Sequence, residues 1–89
     1  MERKVKVLLN KGLQAKVATE FVKIASLFTS DINILKDGKM VAAKSIMGVM
    51  SLAIRKGEEI MIIADGIDEL KAIAVLEEFL SGDVKTLAY

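Results

Sequence analysis

The sequence predicts an α+β fold of two layers: a four-stranded antiparallel sheet with helices on one face, in the order βαββαβα. Three observations predict it. Two stretches carry apolar residues at spacings of three and four, as amphipathic helices do. Asp37-Gly38 sits between two short apolar runs, and Asp-Gly supplies the positive φ angles of a hairpin turn. Glu59-Ile60-Met61-Ile62-Ile63-Ala64 is a nearly unbroken apolar run, too short for a full helix and suited to a central strand.

The elements follow in order. Lys4-Val5-Lys6-Val7-Leu8-Leu9 begins by alternating polar and apolar residues, the pattern of a half-buried strand, and Asn10-Lys11-Gly12 breaks it. Between Ala15 and Phe28, the residues Ala18, Phe21, Val22, Ala25 and Phe28 mark one helical face, and Thr29-Ser30-Asp31 is the expected end. Ile32–Lys36 and Lys39–Ala43 form the hairpin arms around Asp37-Gly38. A short helix starts at Ser45, with Arg55-Lys56-Gly57 as its expected stop, basic side chains first and a glycine after. After the central strand and Asp65-Gly66, Asp68 is the expected cap of a last helix with Leu70, Ile73, Leu76 and Leu80 inside. Gly82 closes it, and Asp83–Tyr89 reads as a loose tail.

Eighty-nine residues suit a single domain, 1–89. The 53% of hydrophobic residues excludes disorder, yet no apolar run approaches the ~20 residues of a membrane span. No leader pattern is present, so a cytoplasmic location is expected. A net charge of +1 argues against direct nucleic-acid binding. The chain has no cysteine and no histidine, which removes disulfides, thiolate chemistry, imidazole acid–base catalysis and phosphohistidine. The adjacent acidic pairs Glu58-Glu59, Asp68-Glu69 and Glu77-Glu78 do not share a helix face and read as solvated charges. Lys4, Lys6, Lys11 and Lys16 make one end mildly basic, a solubility feature rather than a binding patch. No metal site or cofactor is expected.

The most informative stretch is Lys44-Ser45-Ile46-Met47-Gly48-Val49-Met50-Ser51-Leu52. A serine at a helix start accepts a hydrogen bond from the first turn. If the stretch is helical, its apolar residues cover an arc of roughly 220°, well beyond the ~100° stripe that a surface helix buries. Part of that surface is either covered by another element or open, and open apolar surface beside a hydroxyl suits a docking site with a switch. The same spacing also fits a capped turn whose side chains all enter the core. Lys44 fits either a phosphate-holding role or a solvated strand end.

This stretch resembles the regulatory serine motif of the HPr family, the small phosphocarrier proteins of the bacterial sugar phosphotransferase system. The resemblance covers nearly the whole chain, and Asp37-Gly38-Lys39 falls at the family's hairpin. The family's active-site loop reads glycine-hydrophobic-histidine-alanine-arginine-proline-alanine. Here the same place reads Gly12-Leu13-Gln14-Ala15-Lys16-Val17-Ala18. Gln14 stands at the histidine position, Lys16 at the arginine and Val17 at the proline. A carboxamide nitrogen is not nucleophilic, because its lone pair is delocalised into the carbonyl, so Gln14 cannot carry a labile phosphoryl group. Gln14, Ala15, Lys16 and Val17 could still bind an anion at the helix start, or Gln14 could serve only as a polar cap. Lys16 lacks the two-pronged geometry of arginine.

Glutamine for histidine with a retained serine motif is similar to the Crh branch of the family (catabolite repression HPr). The resemblance implies an open-faced β-sandwich of the HPr type and a regulatory protein, not an enzyme. It implies phosphorylation of Ser45 by HPr kinase/phosphorylase, then binding as corepressor to the catabolite control protein, a LacI-type regulator. It implies partner contacts at Ile46, Met47, Val49, Met50, Leu13 and Lys16. The alternative is a phosphotransferase-system HPr in sugar transport with a variant active site. A third reading is an enzyme or sensor on a borrowed fold, for which the sequence supplies no catalytic groups. The oligomeric expectation is a monomer or weak homodimer, with Met1–Leu9 exchanged between copies if the 10–12 hinge opens.

Overall fold

A computed structural model describes residues 1–10 and 12–82. Its elements are β1 (Glu2–Lys6), α1 (Ala15–Ala25), β2 (Asp31–Lys36), β3 (Lys39–Ala42), α2 (Ile46–Ser51), β4 (Glu59–Asp65) and α3 (Glu69–Leu80). The four strands make one sheet in the order β1-β4-β2-β3, with each neighbouring pair antiparallel. The α+β class and the βαββαβα order are therefore as the sequence predicts. β4 is central, but its burial alternates: Ile60, Ile62 and Ala64 enter the core while Met61 and Ile63 are half-buried. The helices cover one face only, so the run of apolar residues in β4 serves two environments.

The hairpin turn is the one expected. Asp37 has φ 50° and Gly38 φ 79°, both positive, and Leu35 pairs with Met40 across it. Beneath the sheet, Phe21 of α1 meets Phe79 of α3 with ring centroids 6.2 Å apart and tilted by 48°. Around this pair lie Val5, Val22, Ile34, Ile54, Ile62, Ile73, Leu76 and Leu80, all buried.

Several boundaries differ from the sequence-based expectation. β1 ends at Lys6, because Val7 and Leu8 leave the ladder and bond elsewhere: the Val7 N–H donates to the Glu58 carbonyl (2.9 Å) and the Leu8 N–H to the Leu80 carbonyl (2.8 Å). α1 stops at Ala25, well before Thr29, and the Ser26 hydroxyl donates to the Val22 carbonyl (2.7 Å). α2 stops at Ser51, not at Arg55-Lys56-Gly57; Ala53 turns the chain with a left-handed φ of 49°. Leu70 is 65% exposed rather than inside, because the buried arc of α3 runs through Ala72, Ile73, Leu76, Phe79 and Leu80 and leaves Leu70 beyond its edge. Asp68 precedes α3 but its carboxylate does not cap it. It accepts instead from the Thr29 N–H (2.9 Å), the Ser30 N–H (3.0 Å) and the Ser30 hydroxyl, tying α3 to the corner before β2. Lys11 and the expected tail Asp83–Tyr89 lie outside the described residues.

Candidate functional site: the start of α2 and the start of α1

The hairpin delivers the chain to Ser45. After β3, the Ser45 N–H donates to the Ala42 carbonyl (3.1 Å), closing a tight turn. Ser45 keeps extended backbone angles, φ −107° and ψ 114°, while its carbonyl accepts the Val49 N–H (3.0 Å) and its hydroxyl accepts the Gly48 N–H (3.1 Å). This is the capping geometry expected of a serine at that place. Gly48 makes it compact: a β-carbon there would stand 3.2 Å from the Ser45 hydroxyl oxygen and 3.2 Å from Cβ of Val41. Ser45 is half-buried, so its hydroxyl sits at the surface with its backbone anchored.

The wide apolar arc of α2 is divided. Val49 is 0% exposed and Leu52 is also buried, both packed into the core. Ile46, Met47 and Met50 are 41%, 82% and 45% exposed. The reading in which every side chain of this stretch enters the core is therefore overturned: one flank of the arc is buried and the other is open. Lys44 does not reach toward Ser45; its ammonium donates to the Phe28 carbonyl (2.7 Å). The side chain is exposed just past β3, as a strand-end lysine would be, with its cation on a backbone oxygen.

The start of α1 is built differently. Gln14 occupies the cap position, φ −111° and ψ 146°, and its carbonyl accepts the Val17 N–H (2.9 Å). Its side chain makes no capping bond, so the expected role as a polar cap is not realised. The following residue, Ala15, has a φ of 39°, a left-handed angle that costs a residue with a β-carbon about 1–2 kcal/mol. Gln14, Ala15 and Lys16 are exposed, while Val17 is half-buried against the core. Leu13 is buried, as is Val49, so neither offers its side chain to a partner; this corrects the expectation that both do. They support the surface from below.

The two helix starts are joined through the loop after α2. The Leu13 N–H donates to the Ile54 carbonyl (3.0 Å). Gly12, with φ +62°, lies so close that a β-carbon would be 2.8 Å from Cα of Arg55 and nearer still to the Ile54 carbonyl oxygen. Leu13, Gln14, Ala15, Met50, Ala53 and Arg55 line a shallow cleft of about 270 Å³ at this seam. The structure thus brings Gln14 and Ala15 together with Met50.

Two residues at the seam were not visible as site residues in the sequence. Lys36, at the end of β2, donates its ammonium to the carbonyls of Leu52 (2.9 Å) and Ala53 (3.3 Å), just past the end of α2. The same ammonium lies 3.0 Å from a carboxylate oxygen of Glu58. Glu58 also accepts the Arg55 N–H (2.7 Å). That backbone donor first, and Lys36 second, hold its carboxyl below the usual range. Among the described residues no group of three His, Cys, Asp or Glu side chains could hold a metal ion. Among the described residues no helix is long and apolar enough to cross a membrane.

With this geometry in view, residues 1–82 match the family model described as the PTS HPr component phosphorylation site. The chain belongs to the HPr family. It is 49% identical over 84 residues to the HPr-like protein Crh of Bacillus subtilis, covering 94% of this chain and 99% of that one. Its fold matches the phosphocarrier protein HPr of Bacillus anthracis with a TM-score of 0.88 at 48% identity, over 90% of this chain and 95% of that one. It also matches a crystal structure of B. subtilis Crh, TM-score 0.73 at 51% identity, over 88% and 90% of the two chains. That Crh structure is described as a dimer with a swapping domain. The antiparallel sheet with helices on one face is thus the HPr architecture, and the chain is an HPr-like protein of the phosphocarrier family.

Proposed function

We propose that this HPr-family chain is a regulatory protein, phosphorylated on Ser45 by HPr kinase/phosphorylase and then bound as corepressor by the catabolite control protein of the LacI type. The observation that carries the reading is the hydroxyl of Ser45 capping α2 directly beside the exposed Ile46, Met47 and Met50. A phosphoryl group there adds about −1.5 to −2 charges at pH 7. It would stand beside the first N–H groups of α2, so the fold tolerates it, and its oxygens would offer a partner's arginine or lysine a charge-assisted hydrogen bond. The methionines adapt their shape to the partner's apolar side chains. Leu13 and Val49 hold this surface in place from the core, and Lys16 is exposed in the first turn of α1.

In this reading the chain does not relay phosphate. It contains no histidine, and Gln14 stands at the family's histidine position. The test is incubation with HPr kinase and ATP, followed by mass spectrometry of the wild type and Ser45→Ala, then a pull-down of the catabolite control protein. The expected result is one phosphate on the wild type, none on the variant, and capture only by the phosphorylated form. Equal phosphate uptake by both would remove Ser45 as acceptor. Acid-labile label from phosphoenolpyruvate and enzyme I would favour a phosphocarrier with a variant site.

The reading includes a monomer or a weak homodimer. The swapping domain described for Crh supports it, with the chain around residues 10–12 as the hinge and β1 as the exchanged strand. Size-exclusion chromatography showing monomer at every concentration would remove the dimer.

A further inference from the structure

The clamp of Lys36 and Glu58 is far from Ser45 in sequence, yet it closes the other end of the same helix. α2 has six residues and no basic side chain in its last turn. The carbonyls at a helix C-terminus need donors, and a cation is favoured there. Lys36 supplies both from β2, with its side chain only 12% exposed. Glu58 then ties the Lys36 ammonium to the Arg55 N–H, so one carboxylate bridges the strand and the loop. That loop presents the Ile54 carbonyl to Leu13. A continuous chain of bonds therefore runs from the end of α2, through residues 52–58, to the residue before Gln14.

We propose that Lys36 and Glu58 are positioning residues that fix α2 relative to the Gln14 loop, so that Met50, Gln14 and Ala15 are presented to HPr kinase/phosphorylase as one rigid surface. The functional part rests on the proposed role of Ser45; the structural part does not. Neither residue touches the Ser45 hydroxyl, so the clamp acts on recognition and leaves the chemistry of phosphate transfer alone. Without it, the carbonyls of Leu52 and Ala53 lose their donor, the loop loosens, and Leu13 loses a fixed acceptor.

Two measurements test this. The first is hydrogen exchange followed by NMR on the wild type, Lys36→Met, Lys36→Arg and Glu58→Gln. Lys36→Met is expected to speed exchange of the Leu13 amide by about tenfold more than that of Ile34 and Ile62. Glu58→Gln keeps an oxygen for the Arg55 N–H and should give a smaller change in the same direction. Lys36→Arg, which keeps a cation and donors, should restore most of the protection. An equal rise at Leu13, Ile34 and Ile62 would mean general destabilisation, and no rise would mean no clamp; either overturns the proposal.

The second measurement is phosphorylation kinetics with HPr kinase and ATP. Lys36→Met is expected to raise KM several-fold, roughly the scale of losing one fixed contact, with kcat unchanged. A fall in kcat at constant KM would overturn the role in recognition. If the wild type takes no phosphate at all, the reading of Ser45 fails while the exchange experiment still decides the clamp.

Discussion

Two helix starts lie side by side in this molecule, and they are built to different standards. At α2, Ser45 bonds the Gly48 N–H, its carbonyl bonds Val49, and Gly48 leaves room for both. At α1, the Gln14 side chain bonds nothing in the cap and Ala15 is held at a left-handed angle. One start is closed by its own side chain. The other is held from outside, by the Leu13 bond to Ile54 and the close seat of Gly12 on Arg55. The lesson is that a cap residue can be read from local sequence only when its side chain does the capping.

The largest expected effect sharpens this difference. Gly12→Ala would place a β-carbon into the backbone of residues 54–55 and impose a left-handed alanine, so it should destabilise by about 3 kcal/mol or more, read by urea denaturation. A loss below 1 kcal/mol would show that α1 does not depend on that outside support. Next comes Ser45→Ala. It should abolish phosphate uptake in the kinase assay and lower stability by about 1 kcal/mol, the usual worth of a helix cap. Unchanged stability would place Ser45 on the same footing as Gln14.

The third helix start offers a titration. Asp68 stands at the cap position of α3, but its carboxylate is held by the Ser30 hydroxyl and by the N–H groups of Thr29 and Ser30. The Ser30 hydroxyl first, then the Thr29 N–H, pull its carboxyl from 3.8 to about 2. A carboxyl lowered in the folded state contributes stability that is fully present above its unfolded value. That stability is lost as the pH falls from 3.8 toward about 2. Urea midpoints measured at pH 4, 3 and 2 should fall less steeply for Asp68→Asn than for the wild type. Parallel slopes would detach the acid limb from this residue. The smallest effect belongs to Gln14→Ala, which should change stability by less than about 0.5 kcal/mol, since its side chain has no cap bond to lose. A loss near that of Ser45→Ala would erase the comparison.

Much of this is legible in the chain itself. The Asp37-Gly38 turn, the inner face of α1 and the Ser45 cap are all local signals, written within a few residues of where they act. What stayed hidden depends on partners far away in sequence. Lys36 looks like the last residue of a hairpin arm, yet it serves carbonyls sixteen and seventeen positions on. Glu58 looks like half of a solvated acidic pair, yet it joins β2 to the seam. Asp68 has the right residue type for a cap and the right place, but a buried hydroxyl, Ser30, competes for it and wins. Leu70 fits the helical period but falls outside the arc that the sheet covers. Leu13 and Val49 sit within motifs that suggest contact, and only packing shows that they face inward.

The split girdle of α2 has a consequence for how such a protein can change over time. Val49 and Leu52 answer to the interior, where a lost methylene is felt by the whole domain. Met47, open to water on nearly every side, answers only to whatever lands on it. Substitutions can accumulate on the outer flank without eroding foldedness, so what this flank meets is open to single-letter drift while the scaffold stands still.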